Sequence, residues 1–152
     1  MIEIISTDIL DDCKTPVFVR VDFIKWIVEE SDGAFEFSFN DGKVARVQET
    51  LDEIKAKLAA DTLSGEWQVG WLELRLEENG KPYRILLHKA LVSLFYRDGN
   101  VTKVETYEEG AMTCPVFHAL NEYEDVKAQM QYTYSVARQK KIVQGKNPDV
   151  GI

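Results

Sequence analysis

Four Asx-Gly pairs punctuate this chain: Asp32-Gly33, Asp41-Gly42, Asn79-Gly80 and Asp98-Gly99, each beside a run of apolar or β-branched residues. Asx-Gly supplies the positive φ angles that tight turns need at little steric cost, so each pair marks a chain reversal. A turn also fixes a strand register. A slip of one residue would move every apolar side chain to the opposite face, so alternation tests each turn separately.

Asn79-Gly80 fits a two-residue type I′ loop, which sets Leu76 opposite Tyr83, Leu74 opposite Ile85 and Leu72 opposite Leu87. One face of that hairpin is apolar. The other carries Trp71, Glu73, Arg75, Glu77, Arg84 and His88. A helix opening at Pro82 also matches the 3.6-residue period of Tyr83, Leu86, Leu87, Ala90, Leu91, Leu94 and Phe95, but it leaves the Leu72/Leu74/Leu76 alternation unexplained. After His88 the apolar parity changes, which predicts a bend near Lys89-Ala90.

Asp98-Gly99 is read as a three-residue loop between strands at 91–96 and 100–107, placing Val92, Leu94 and Val104 on one face. Asp32-Gly33 joins a partly extended segment, 17–28, to the alternating strand that carries Phe35, Phe37 and Phe39 inward. With a two-residue turn, Asp41-Gly42 would mix apolar and charged residues by setting Phe37 against Arg46 and Glu36 against Val47. The reading is instead a helix through Val44, Val47, Leu51, Ile54 and Leu58, capped by Asn40 or Asp41. Thr50-Leu51-Asp52-Glu53 offers a later start as a capping box.

A long C-terminal helix follows the box Asn121-Glu122-Tyr123-Glu124 and ends with Arg138, Lys140 and Lys141, then Gly145 as cap and Pro148 as stop. Its stripe of Tyr123, Val126, Met130, Tyr134 and Ala137 is expected to cross the sheet. Tyr132, Val136 and Val143 form a second apolar line that something else must cover. The expected fold is therefore α+β: a mainly antiparallel sheet of hairpins packed against a mid-chain amphipathic helix and the long C-terminal helix. A single domain is expected over 1–152, with a short polar tail at 146–152.

The net charge of −8 is uneven, with 25 acidic and 13 basic residues in 1–125 but 1 and 5 in 126–152. An acidic body repels nucleic acid and anionic membrane, so neither is an expected partner. The N-terminus lacks a signal peptide's basic region and long apolar stretch, and the apolar run 85–96 is broken by His88-Lys89. Cytoplasmic location is the expectation, with virion association if the assembly is a phage one.

No phosphate-cradling or catalytic motif occurs. Cys13 and Cys114 lie far apart and share no metal-ligand spacing with His88 or His118, so neither disulfide, metal nor cofactor is expected. Cys114 and His118 are spaced like a dyad on one helical turn, but Pro115 and the lack of an orienting carboxylate favour a structural cysteine. Asp8, Asp11 and Asp12 lack the glycine and distal glutamate of a calcium loop.

Two surfaces stand out. Trp71, Glu73, Arg75, Arg84 and His88 form a polar face on which two arginines and a histidine could hold phosphate or carboxylate, or simply pair with neighbouring charges. Tyr132, Val136, Arg138, Lys140, Lys141 and Val143 form a candidate interaction surface on the last helix. The stretch 51–86, with its Glu73-Leu74-Arg75 and Tyr83-Arg84-Ile85-Leu86 strands, resembles ribosome-dependent mRNA interferase toxins over roughly a quarter of the chain. That resemblance implies Arg75 and Arg84 as RNA contacts and an RNA- or phosphate-acting enzyme. The residues by themselves point to a non-enzymatic protein-protein interaction protein, either a subunit of a larger assembly such as a phage component or an acidic inhibitor or immunity protein. Its partner would be another protein or further copies of itself.

Overall fold

The computed structural model describes residues 1–7 and 14–146. Asp8, Asp11, Asp12, Cys13 and Pro148 therefore lie outside the described residues. Ten strands and three α-helices are found within them, in the order β1 (Ile2–Thr7), β2 (Lys14–Val19), β3 (Ile24–Glu29), β4 (Phe35–Phe39), β5 (Val44–Val47), α1 (Leu51–Ala60), β6 (Trp71–Glu78), β7 (Lys81–His88), β8 (Val92–Asp98), β9 (Val101–Thr106), β10 (Val116–Ala119), α2 (Tyr123–Gln131) and α3 (Tyr134–Val143). An antiparallel seven-stranded sheet runs β2-β1-β5-β4-β3-β7-β6, and a three-stranded sheet runs β10-β9-β8. The α+β class follows as expected.

The Asn79-Gly80 hairpin has the register that its alternation dictates, with Leu76 opposite Tyr83, Leu74 opposite Ile85 and Leu72 opposite Leu87. Asn79 (φ 52°) and Gly80 (φ 77°) both occupy the left-handed region, as a type I′ turn demands. Segment 82–96 is strand, not helix. A 3-10 turn over Lys89–Leu91 supplies the bend expected after His88.

Asp32-Gly33 and Asp41-Gly42 build the same device, which corrects the expectation that the second leads straight into a helix. Each is a three-residue loop: Gly33 N–H donates to Glu30 O (3.0 Å) and Gly42 N–H to Phe39 O (3.0 Å). The aspartate accepts from the residue after the glycine, Ala34 N in one loop and Lys43 N in the other, at 3.0 Å in both. The extra loop residue shifts the register by one. Phe37 then faces Ala45, Phe35 faces Val47, and Glu36 faces Arg46, so the mismatch created by a two-residue turn disappears. The helix starts at Leu51 instead, the later start, where Thr50 Oγ1 caps it by accepting from Glu53 N–H at 3.2 Å and donates to Glu53 Oε1 at 3.0 Å.

Asp98-Gly99 departs in the other direction. Asp98 pairs with Val101, leaving a two-residue loop with Gly99 (φ 63°) in its first position. The missing parity shift lies in a bulge between Val92 and Leu94, which lets Val92 and Phe95 both pack inward while Leu94 is 48% exposed. The grouping of Leu94 with Val92 and Val104 is thereby overturned.

The large sheet is covered on both faces. On one, Ile4, Ile27, Phe35, Phe37 and Val47 join Ile54 and Leu58 of α1 in a cluster that also includes Trp71 and Leu86. On the other, Leu72, Leu74, Leu76, Ile85 and Leu87 join Val104 of β9, Ala119 of β10 and Val126 of α2. Full burial of a side chain of this size contributes roughly 1.5–3 kcal/mol, so these two layers carry most of the stabilisation.

The expected long C-terminal helix is two helices. Tyr132 turns extended (φ −80°, ψ 90°), and Thr133 caps the next helix by accepting from Val136 N–H at 3.4 Å. Aromatic and β-branched residues favour helix poorly, and a threonine offers the backbone a competing bond, so Tyr132-Thr133 is where the pattern breaks. Gly145 (φ 71°) ends α3 as expected: Gly145 N–H donates to Ile142 O and Lys146 N–H to Lys141 O.

Candidate functional site

The hairpin brings Trp71, Glu73, Arg75, Arg84 and His88 onto one face of β6 and β7, with Trp71 opposite His88 and Arg75 opposite Arg84. The face nevertheless does not converge on a ligand-sized opening, because most of its members are already engaged. Trp71 is 1% exposed and belongs to the core under α1, with the His88 ring edge-on at 4.8 Å. Glu73 pairs with Lys55 of α1 at 2.8 Å. Arg84 clasps Glu29 of β3 through Nε (3.2 Å) and Nη2 (2.6 Å), and its backbone N–H donates to the same carboxylate. His88 Nδ1 accepts from Ala90 N–H at 3.2 Å, capping the 3-10 turn, and burial lowers the imidazole pKa. Arg75 is exposed.

Arg84 holds the Glu29 carboxyl below its ordinary range, chiefly through their hydrogen bonds. A carboxylate with a depressed folded-state pKa stabilises the fold above its unfolded value, near 4.5, and that contribution is lost as pH falls through the folded value. Arg84→Met is therefore expected to cost about 0.5–1 kcal/mol at neutral pH, the cost fading as pH drops below the unfolded value. Urea melts of both proteins between pH 3 and 7 would show it; parallel stability curves across that window would rule it out.

On α3 the second apolar line is only partly exposed as expected. Val136 is 45% and Val143 78% exposed, whereas Lys141 is buried and donates to Ser64 O. Lys141 is thus a strut between α3 and the loop after α1, since its position one residue past Lys140 rotates it inward. Tyr132 is half-buried, its hydroxyl bonded to Glu66, and burial followed by that carboxylate pushes its pKa up to about 12. Lys140 sits 5.9 Å from the Tyr132 ring, and Arg138 is exposed. Val136, Gln139, Lys140, Val143 and Gln144 line a shallow hollow of about 470 Å³.

Three residues outside both candidate surfaces, Lys89, Asn121 and Gln129, hold this region together. Lys89 donates to Gln68 O (2.5 Å), Gln129 O and Tyr132 O (2.8 Å), capping the end of α2, and burial pulls its pKa down to about 8. Asn121 serves the open edge of β6 rather than an N-terminal box, accepting from Arg75 N–H at 2.7 Å and donating to Glu73 O at 3.2 Å. Gln129 does the same one pair along, accepting from Glu73 N–H (2.8 Å) and donating to Glu73 O (2.9 Å). The parity break at His88-Lys89 marked the first of them and the box at Asn121 the second, though as a helix start; Gln129 carried no sequence signal.

Cys114 Sγ accepts from Glu108 N–H at 3.4 Å, and His118 lies on β10, so the two do not share a helical turn. Among the described residues no group of three or more His, Cys, Asp or Glu is arranged to hold a metal ion, and no helix is long and apolar enough to cross a membrane. The chain matches no family model, and no curated protein or solved structure matches it. The toxin-like E-L-R and Y-R-I-L stretches therefore stand as a short local likeness.

Proposed function

We propose that this chain is a non-enzymatic interaction protein, a subunit of a larger assembly, that docks through the outer face of α3. The observation that carries the reading is the contrast between the two candidate surfaces. On the hairpin face, Trp71, Glu73, Arg84 and His88 are spent on packing, ion pairs and a turn cap. On α3, Val136, Ile142 and Val143 remain exposed beside Lys140 and Arg138. A helix that buries Ala137 and Lys141 on one side and shows valines on the other leaves apolar surface in water, which docking would remove.

An assembly subunit is favoured over an acidic inhibitor because the exposed apolar face is basic. From 134 to 146 there are four basic residues and no acidic one. An RNA- or phosphate-acting enzyme would need Arg84 to leave Glu29, at the cost of that pair.

Replacing Val136 and Val143 together by Asp tests the reading. Both are exposed, so the melting temperature should hold, exposed substitutions usually changing stability by less than about 0.5 kcal/mol. In extracts of the cells that make it, native mass spectrometry should find the wild type in a multimeric or heteromeric species and the variant at the 17.4 kDa of the single chain. A wild type that runs as a single chain there, or a variant that remains in the complex, overturns the proposal.

A further inference from the structure

The molecule carries a second surface whose chemistry is the reverse of α3. A groove of about 640 Å³ opens between the tips of the β3–β4 and β6–β7 hairpins. Val28 and Tyr83 supply its apolar part, and Glu29, Glu30, Glu36 and Glu78 its negative charge, set against one cation, Lys81, which lies across the strand pair from Glu78. Two of those carboxylates are neutralised within the chain, Glu29 by Arg84 and Glu30 by Arg46. Glu36 and Glu78 form no ion pair among the described residues, although Glu36 lies directly across from Arg46, which is engaged by Glu30 and Asp32.

We infer that the occupant of this groove is α3 of a second copy of the chain. The inference rests on the reading of α3 as a docking face and names its partner. Val136, Lys140 and Val143 recur at i, i+4 and i+7, so they form one ridge, with the valines roughly 10 Å apart along the helix. That ridge is apolar with a cation at its centre; the groove is apolar with Glu36 and Glu78 outnumbering Lys81 at its rim, so its unpaired charge is negative. Charge of opposite sign over matching apolar patches both steers the encounter and fixes register.

The same molecule cannot satisfy itself. α3 is fastened at the Trp71/His88 end of the hairpin, through Lys141 to Ser64 and through Lys89 to Tyr132. The groove lies at the Asn79-Gly80 end, eight strand residues away, roughly 25 Å along β6. A contact between two different patches at opposite ends is heterologous, so it propagates head to tail into a ring or a filament. This gives the assembly reading a geometry.

The experiment is a charge exchange on the purified full chain, followed by sedimentation velocity in low salt. Lys140→Glu alone and Glu36→Lys with Glu78→Lys alone should each sediment as monomers, each having two surfaces of the same sign. Mixed one to one, they should reassemble to the wild-type distribution, because each reversed patch finds its complement on the other protein. Raised salt should shift the wild type toward monomer. Variants that self-assemble singly, or that fold as judged by circular dichroism yet stay monomeric when mixed, overturn the inference. A wild type that is monomeric alone up to about 1 mM, too weak for a stable assembly, also overturns it. That last result leaves the α3 reading to the native-extract test, where a heteromer lost on Val136→Asp/Val143→Asp would identify a different partner.

Discussion

Trp71→Ala is expected to destabilise the fold by about 3–5 kcal/mol, the range for emptying a buried aromatic site. For a chain of this length that is a fall of about 6–20 °C in melting temperature, and against a typical total of about 5–15 kcal/mol it brings the protein near its unfolding threshold. The cause is specific. Trp71 is 1% exposed, shares a cluster with Leu86, Ile54 and Leu58, and carries the His88 ring on its face at 4.8 Å. Its removal opens a void beneath α1 that the hydrogen-bonded pairing of β6 with β7 keeps from collapsing. A stacking platform for a ligand would behave in the opposite way, being exposed and cheap to truncate. Chemical denaturation settles the matter: a loss below about 1 kcal/mol would return Trp71 to the surface reading.

Trp71 also shows why the sequence described the hairpin well and its face badly. Register is local, and the odd-even alternation of Leu72, Leu74 and Leu76 against Tyr83, Ile85 and Leu87 determines it within the 16 residues from Leu72 to Leu87. What covers a face is not local. The polar positions Glu73 and Arg84 suggested a solvated ribbon, but α1 lies over that face and β3 pairs beside β7 in the same sheet, supplying Lys55 and Glu29 as partners. Lys55 lies 18 residues from Glu73 and Glu29 lies 55 from Arg84, both beyond the reach of strand alternation.

The turns failed for a subtler reason. An Asx-Gly pair specifies that the chain reverses, while the loop length depends on whether the parity shift falls in the loop, as at Asp41-Gly42, or in a bulge several residues away, as at Ser93. Both solutions give the same apolar pattern at the loop itself. The break in the C-terminal helix was legible in principle, since Tyr132-Thr133 combines weak helix formers with a good cap, yet the continuous apolar period across it concealed the break.

Opening the β6 edge should be the next most damaging change. In the seven-stranded sheet β6 is an outer strand, and such a strand offers a row of unpaired N–H and C=O groups to any passing chain. Here side chains close it: Gln129 grips both the N–H and the C=O of Glu73, while Asn121 takes Arg75 N–H and reinforces Glu73 O. Arg75 O is closed by Leu120 N–H at 2.7 Å. The two amides thus act as a strand one residue wide, and Asp125 Oδ2 orients them by accepting from Asn121 Nδ2 (2.7 Å) and Gln129 Nε2 (3.1 Å). Asn121→Leu with Gln129→Leu keeps the approximate volume and removes every bond made by the two amides, leaving Leu120 N–H on Arg75 O. At about 1–3 kcal/mol for each group left dry, the two orphaned groups of part-buried Glu73 should cost about 2–6 kcal/mol together, Arg75 being exposed to water. Beyond stability, the bare edge should make the variant associate strand to strand, seen as light scattering that grows with concentration. A thermostable variant that stays clear would show that α2 and β10 shield the edge by packing alone, with the amides contributing nothing that their aliphatic replacements do not.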